Sequence, residues 1–143
     1  MTAALVHGEH LEGDEARLAE TLVRWLETGD PPEDLFAPDV FVDFTLPQWR
    51  VQSEGAADAF ALRARSHPYP GDVVVRGLDH TSRGFLFEFE ERWQAEGQHW
   101  YCREMIHCQV VGDRIAALSV YCTGDWDDAV PRRHAKQVHL TRP

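Results

Sequence analysis

The second half of the chain contains four stretches with strand character, separated from one another by only a few residues. They span residues 73–78, 85–93, 100–110 and 115–123. Each break between them carries a glycine, which favours a tight hairpin. Parallel neighbours would need crossovers of about a dozen residues or more, and these breaks have no room for them. The pattern therefore predicts an antiparallel meander.

The first half of the chain is predicted to supply the helices. Apolar residues at i, i+4, i+7 and i+8 predict an amphipathic helix that starts at Asp14 and ends at Gly29. The remaining predicted elements are a helical turn over 33–36, strands over 40–45 and 49–52, and a helix over 54–66. Helices followed by a meander indicate an α+β fold with the helices on one face of a curved sheet.

Length and charge limit the function classes. A chain of 143 residues is predicted to be a single domain, 1–143, with 1–13 and 131–143 as flexible or extended tails. The net charge of −10 argues against nucleic-acid or anionic-membrane partners. No apolar run reaches the roughly 20 residues of a membrane span, and the start lacks a signal-peptide pattern. These features predict a cytoplasmic protein.

Two compositional details support that prediction. The three cysteines, Cys102, Cys108 and Cys122, are an odd number without C-x-x-C spacing, which is typical of reduced thiols. Lys136 is the single lysine among 14 basic residues, which points to a GC-rich bacterial genome. Motifs for a metal, a nucleotide or another cofactor are absent from the sequence, so no cofactor is predicted.

The order of the predicted elements resembles the NTF2-like (nuclear transport factor 2) superfamily, in its SnoaL-like and ketosteroid-isomerase-like branch. The matching stretches cover residues 15–125 and read LVRWLETGD, LFAPDVFVDF, SEGAADAF and VVGDRIAALSVY. The resemblance implies a conical α+β barrel, with an internal pocket between the helices and a strongly curved, mostly antiparallel sheet. It also implies a homodimer through the open sheet face. Members include isomerases, dehydratases, cyclases, epoxide hydrolases and proteins without catalysis, so the fold alone does not give the reaction.

Alternation along the strands sorts the candidate site residues. Aligning Ile115 with the apolar residue of the family's last strand predicts which side chains face the pocket. From three strands they are Val40, Val42 and Phe44, then Tyr101, Arg103, Met105 and His107, then Leu118, Val120 and Cys122. A slip or bulge of one residue would reverse any of these assignments.

Three residues are predicted to carry the chemistry. Arg103 would hold an anionic or enolate oxygen of a substrate, and His107 or Asp43 would move the proton. Each also has a structural alternative. Arg103 would then be neutralised by Glu91 or Asp43, His107 would be satisfied by the core, and Asp43, one residue before the family's base position, would lie at the rim.

Known activities of the resembled family are only partly compatible with this sequence. Leu22 and Met105 stand where the isomerases carry a tyrosine and a protonated carboxylic acid, and Val120 stands where limonene epoxide hydrolases carry an aspartate. Steroid isomerisation and that hydrolysis are therefore not expected. Trp126, after the last strand, is predicted to close over the pocket as a lid, and Trp49 and Trp100 are predicted to line its mouth; the alternative is that these aromatic side chains pack in the structure without contacting a ligand. Cys122 is a candidate nucleophile, and its alternative is a buried, inert thiol.

The sequence thus predicts a cofactor-free enzyme that performs isomerisation, dehydration or cyclisation on a small apolar ligand. The predicted ligand-contacting side chains are Phe44, Trp49, Tyr101, Met105, Leu118, Val120, Cys122 and Trp126. The alternative is a ligand-binding module or dimeric scaffold of the same fold without catalysis.

Overall fold

The computed structural model describes residues 11–142, which form three helices and six strands. In chain order these are α1 (Gly13–Thr28), β1 (Phe36–Leu46), β2 (Trp49–Glu54), α2 (Ala56–Ser66), β3 (Gly71–Thr81), β4 (Gly84–Ala95), β5 (Gln98–Val111), β6 (Arg114–Cys122) and α3 (Ala129–Gln137). None of the helices within residues 11–142 is long and apolar enough to cross a membrane.

The six strands form one curved, unclosed sheet in the order β2-β1-β6-β5-β4-β3. Strands β3 to β6 make the predicted antiparallel meander, and β2 pairs antiparallel with β1. Strand β1 pairs parallel with β6, which brings the N-terminal half of the chain beside its last strand. Helix α1 lies against β3 and α2 against β1, so the core is enclosed between these helices and one sheet face. The predicted α+β cone is confirmed.

Helix α1 follows its apolar stripe. Leu18, Leu22 and Leu26 are buried, and the left-handed Gly29, with φ of 79°, ends the helix by donating its N–H to the Trp25 carbonyl. A glycine adopts this backbone conformation without steric cost. The predicted end is confirmed, whereas the predicted cap at Asp14 is wrong because Glu12 occupies the N-cap position.

Two predicted segments differ from the structure. Residues 33–36 are not a helical turn, because Phe36 already begins β1 and pairs with Ile115. The tail predicted from residue 131 is not flexible throughout, because it contains most of α3, a helix that follows the sheet. None of its residues is buried, which is why no apolar stripe indicated it. Of the other predicted tail, residues 1–10 lie outside the described residues, and Leu11 is buried.

A β-bulge in the β5–β6 hairpin decides which side chains face the core. Val110 pairs with Ile115 next to the turn, but the register then shifts by one, so that Cys108 pairs with Leu118. A hairpin without this shift would set His107 opposite Leu118 instead. Because a one-residue slip moves every side chain to the other face, the bulge reverses the predicted inner face of β5 while leaving that of β6 as predicted.

Candidate active site

A cavity of about 50 Å³ lies inside the cone between the sheet and helices α1 and α2. Its lining side chains are Leu22, Trp25, Leu26, Val42, Phe44, Ala59, Leu62, Arg63, Glu104, Ile106, Leu118 and Val120. Only Arg63 and Glu104 among them are charged in their ordinary ionisation states. Phe44, Leu62 and Arg63 are the partly exposed members of the set, so the cavity opens between β1 and α2.

Arg63 and Glu91 form a buried ion pair beside this cavity. The Nη2 atom of Arg63 lies 2.5 Å from Oε1 of Glu91, and Nη1 lies 3.1 Å from Oε2. Nη2 also donates to the Leu26 carbonyl at 2.9 Å, which ties α2 to the last turns of α1. The side chains are only 14% and 4% exposed, respectively. Two parallel hydrogen bonds give the pair a fixed geometry as well as a strong interaction.

Glu104 completes a buried acidic pair with Glu91. Burial and the neighbouring Glu91 charge raise the pKa of Glu104 well above its ordinary value. Burial opposes ionisation of Glu91 as well, but the hydrogen bond from Glu104 and the charge of Arg63 hold the pKa of Glu91 below its ordinary value. These opposite shifts favour a proton on Glu104 and the negative charge on Glu91.

Two further titratable groups lie near the pair. His67 packs edge-on against Trp93, with ring centroids 4.3 Å apart. Burial and the Arg63 charge lower the pKa of His67 to about 4, so its ring is neutral near neutral pH. Asp125 follows β6 and is exposed as a residue, but partial desolvation of its carboxyl together with the Glu91 charge raises its pKa. Neither group supplies a positive charge that would draw the proton away from Glu104.

Among residues 11–142, Cys102, Glu104 and Cys122 form the one group of three potential metal donors. Their donor atoms all lie within 4.8 Å of one another. The Cys102 thiol donates to Oε1 of Glu104 at 3.1 Å, and the Gly124 N–H donates to Sγ of Cys122 at 3.4 Å. These hydrogen bonds already satisfy the group, and the guanidinium of Arg63 stands nearby, so we assign no metal here.

The side chains predicted to face the pocket from β5 lie on the outer face of the sheet. The inner side chains are Cys102, Glu104, Ile106 and Cys108, all buried. Arg103 is exposed, Met105 is 38% exposed, and His107 exchanges a hydrogen bond with the Thr81 hydroxyl at 2.9 Å. The prediction that Tyr101, Arg103, Met105 and His107 point into the cone is therefore wrong, and the bulge in the β5–β6 hairpin is the physical reason.

Asp43 also lies outside the cone. Its carboxylate accepts a hydrogen bond from Nε of Arg50 at 2.7 Å, across the β1–β2 pair, and this bond lowers the pKa of Asp43. A low pKa and an outward position are wrong for a base inside the cavity. The bulge that would have turned Asp43 inward is absent before Pro47, because β1 stays in register with β2 up to Leu46. The rim alternative for Asp43 is the one that the structure supports.

Three other predicted residues meet in a different place. Tyr101, Arg103 and Trp126 line an open cleft of about 720 Å³ beside α3, outside the cone. Tyr101 and Trp126 are joined by two backbone hydrogen bonds, of 3.0 and 2.7 Å, and their rings pack edge-on. Trp49, at the start of β2, is 70% exposed and does not line the cone cavity.

Predictions for the first and last strands agree with the structure. Val40 and Val42 are buried, and Phe44, Leu118 and Val120 line the cone cavity. Cys122 faces inward beside Glu104, its register partner, but is not among the lining residues. The inner faces of β1 and β6 are thus as predicted, whereas the charged residues on the cavity wall are Arg63 and Glu104 instead of the predicted ones.

The charged residues that were missed left a signal in the sequence. Phe85, Phe87 and Phe89 alternate on the inner face of β4, and Glu91 continues that series at the next inward position. On β5, the residues at alternate positions fall into two series. The series Cys102, Glu104, Ile106 and Cys108 is more apolar than the other series, Arg103, Met105 and His107. Comparing the two series would have placed Glu104 inside. It lies one residue from Met105, the position where the resemblance implies a protonated carboxylic acid.

Two comparisons of the sequence with known families and proteins found no match. No protein-family model matches it, and no curated protein sequence is significantly similar to it. What the chain shares with known proteins is its three-dimensional arrangement.

Several solved structures are similar over most of the chain. An NTF2-like protein from Anabaena variabilis ATCC 29413 superposes with a TM-score of 0.65 at 18% identity, covering 80% of this chain and 94% of that one. A proposed polyketide cyclase from Pseudomonas putida KT2440 gives a TM-score of 0.62 at 17% identity, covering 77% and 92%. An epoxide hydrolase from M. tuberculosis, similar to limonene epoxide hydrolases, gives 0.61 at 13% identity, covering 76% and 82%. The helices, the sheet order and these superpositions agree that this chain has the NTF2-like fold.

Proposed function

We propose that the chain binds a small, largely apolar molecule inside the cone and that Glu104 transfers a proton to or from it. The observation that carries this proposal is the buried carboxyl of Glu104 on the wall of a cavity whose other lining side chains, apart from Arg63, are apolar. Burial and the Glu91 charge raise the pKa of this carboxyl, which favours its neutral form. Small-molecule sites commonly combine an apolar lining with a few convergent polar groups. A neutral acid in such a place can donate to a carbonyl or enolate oxygen.

The neighbouring ion pair gives Glu104 its function in this proposal. Glu91 is held by Arg63 and accepts the hydrogen bond of Glu104, which fixes the acid at the cavity wall. A ligand oxygen near Glu104 would compete with Glu91 for that proton. Isomerisation, dehydration and cyclisation of carbonyl compounds all need a proton moved at an oxygen or at the adjacent carbon, so this donor fits the reaction class predicted from the sequence.

The size of the cavity restricts the ligand. About 50 Å³ is far below the roughly 300–1,000 Å³ of usual small-molecule pockets. A ligand must therefore displace side chains at the opening, where Phe44 and Leu62 are partly exposed. A second cavity of about 160 Å³ shares the wall formed by Trp25, Leu26 and Arg63. A compact monocyclic molecule is the ligand class that this interior favours.

Deuterium exchange into a cyclic enone tests the proposal. We expect the wild-type chain to accelerate exchange of the protons activated by the carbonyl of 2-cyclohexenone in D₂O, monitored by NMR. Glu104→Gln keeps a hydrogen-bond donor but cannot release a proton as an acid does, so it should bind the enone and lose the acceleration by about 10²-fold or more. Glu104→Leu should lose both.

Matched variants and ligands define the control. Glu88 lies on the outer face of β4, opposite Met105, and Glu88→Gln should exchange at the wild-type rate. Toluene, which has no oxygen, should bind wild type and Glu104→Leu equally. Equal exchange rates for wild type and Glu104→Gln would refute the proton-transfer role.

A non-catalytic binding protein of the same fold is the second candidate function. It is favoured by the pairing of Arg63 with Glu91: among residues 11–142, Arg63 is the one arginine on the cavity wall, so the described wall has no free cation for an anionic substrate. Binding of the enone without any accelerated exchange is the outcome that would select this function. The cytoplasmic location stays a prediction from the sequence.

We also propose that a second copy of the chain packs on the outer sheet face, as the resemblance implies. Met105 and Tyr121 are register partners there and are 38% and 59% exposed, so they form an apolar patch on that face. Sedimentation velocity at tens of micromolar should show a dimer for wild type and a monomer for Tyr121→Arg. Val111→Glu, which changes an exposed apolar residue at the far end of β5, should remain dimeric. A wild-type monomer would contradict the proposal.

A further inference from the structure

Two of the three cysteines meet on the inner face of the sheet, where β6 ends. Cys122 is the last residue of β6 and pairs in register with Glu104, while Cys102 lies two residues before Glu104 on the same face of β5. Their sulfur atoms are within 4.8 Å of each other. The proposed proton transfer uses neither thiol, so this pair is a separate chemical feature of the fold.

We propose that Cys102 and Cys122 are a redox-active pair that a peroxide converts into an intramolecular disulfide. The two thiols differ in the way that such a reaction needs. Cys122 is partly exposed, whereas Cys102 is only 2% exposed. Cys122 is therefore the sulfur that a peroxide reaches first, and Cys102 is the sulfur that resolves the oxidised intermediate.

Local hydrogen bonds favour the thiolate at Cys122. Its sulfur accepts the N–H of Gly124 at 3.4 Å, in the turn that follows the strand. The contact with the Cys102 thiol and, against the effect of burial, this N–H lower the pKa of the Cys122 thiol. The pKa of Cys102 is raised by the same thiol contact and by burial. Reactive cysteines are found where the thiolate is favoured and accessible.

The reaction proceeds in two balanced steps. The Cys122 thiolate attacks one peroxide oxygen, the O–O bond breaks, and Cys122 becomes a sulfenic acid while the other oxygen leaves as water after taking up a proton. The Cys102 sulfur then attacks the Cys122 sulfur. The S–O bond breaks, and the oxygen leaves as a second water with the proton of Cys102. Two thiols are oxidised, and hydrogen peroxide is reduced by two electrons.

Strand geometry allows the bond after a small movement. Diagonal neighbours in an antiparallel pair have Cα atoms roughly 7–8 Å apart, slightly beyond the approximately 4.4–6.8 Å of most disulfides. The two sulfur atoms already lie within 4.8 Å of each other. Cys122 is the last residue of β6, so rotation of the two side chains and a small shift at this strand end bring the sulfur atoms to bonding distance. Beyond it, the Thr123 N–H donates to the Arg103 carbonyl at 3.0 Å, which keeps the two sulfur atoms close.

The third cysteine provides an internal control. Cys108 is fully buried on β5, six residues beyond Cys102, which places it about 20 Å away along the strand. Burial raises its pKa, so it is neither accessible nor activated. An oxidation that follows the geometry must leave Cys108 as a thiol.

The experiment uses the full chain, reduced and then treated with a small excess of hydrogen peroxide. We expect the number of thiols that iodoacetamide alkylates after denaturation to fall from three to one, with the protein still monomeric in its covalent mass. Trypsin cuts after Arg103 and Arg114, so each cysteine is in a different peptide. The map should show one cross-linked pair, Cys102 with Cys122, and alkylated Cys108.

Three variants complete the test. Cys108→Ser should form the same disulfide as wild type, and Cys102→Ser should accumulate a sulfenic acid at Cys122 that dimedone traps. Cys122→Ser should retain both of its thiols under the same treatment. Cross-links between two chains, a bond to Cys108, or oxidation of Cys122 to sulfinic acid in wild type without loss of the Cys102 thiol would each overturn the proposal. Since no ligand is needed, these outcomes do not depend on the proposed proton transfer.

Discussion

Arg63→Met should lower the free energy of unfolding by about 3–5 kcal/mol, the usual cost of leaving one member of a buried ion pair without its partner. Glu91, with a side chain 4% exposed, would lose both hydrogen bonds to the guanidinium and keep its charge in the core. The Leu26 carbonyl would lose its donor as well. For a chain of this length, a loss of that size lowers the melting temperature by roughly 10–15 °C.

A second substitution identifies the stranded charge as the cause. Arg63→Met combined with Glu91→Gln removes the buried charge and leaves an oxygen that accepts the hydrogen bond of Glu104. This double variant should regain most of the stability that the single variant loses, because a neutral core at this place has no unpaired ion.

Arg103→Ala is the matched control for the arginine substitution. Arg103 is exposed on the outer face of β5, and its side chain makes no hydrogen bond or ion pair within residues 11–142. Its removal should leave the melting temperature unchanged. Urea unfolding of the four proteins checks these expectations. An Arg63→Met single variant as stable as wild type would show that the pair does not hold α2 to the sheet.

Much of the fold is predictable because it depends on short-range patterns. The short glycine-containing breaks between β3, β4, β5 and β6 leave no space for crossovers, so they predict antiparallel pairing. The apolar stripe of α1, followed by Gly29, predicts the first helix and its end. Helix α3 escaped prediction for the opposite reason, because none of its residues is buried and its polar composition resembles that of a tail. The bounds of the strands differ by a few residues, since pairing with a neighbour extends a strand beyond its most apolar part.

The site is less predictable because it depends on one long-range detail. A single extra residue in β6, Ala116, moves Arg103 and His107 outside and brings Glu104 and Cys102 inside. The residue types at positions 103 and 107 do not predict a bulge in the neighbouring strand. The alternation of apolar residues along β5 indicates the correct inner face. Arg103 and His107 were instead predicted to face the pocket because their side chains are suited to chemistry.

Glu104→Gln should make the chain more stable relative to wild type as the pH rises. Glutamine is close in size to glutamic acid, it donates to Glu91 as the neutral acid does, and it accepts from the Cys102 thiol. The difference between the two proteins is therefore the ionisation of residue 104. That ionisation is opposed in the folded state by burial and by the Glu91 charge, which raise the pKa of Glu104.

The sign of the effect follows from proton binding in the two states. Above the unfolded pKa of about 4.3, the unfolded wild-type chain releases the Glu104 proton, whereas the folded chain keeps it. Wild-type stability from this group is therefore full below that pKa and is lost as the pH rises toward the folded pKa. The slope approaches about 1.4 kcal/mol per pH unit between the two values. Glu91 has the opposite dependence, at acidic pH, and is common to both proteins.

Urea unfolding at about pH 5 and about pH 7 measures the difference directly. Relative to wild type, Glu104→Gln should gain up to about 2.6 kcal/mol over this interval, the value for a folded chain that keeps the Glu104 proton throughout. Glu88→Gln, the same chemical change on the outer face, should show no comparable trend. A difference between wild type and Glu104→Gln that does not change with pH would mean that Glu104 ionises alike in the folded and unfolded chains. The cavity would then hold a carboxylate beside Glu91 instead of a proton donor, and the proposed transfer of a proton to a bound ligand would lose its source.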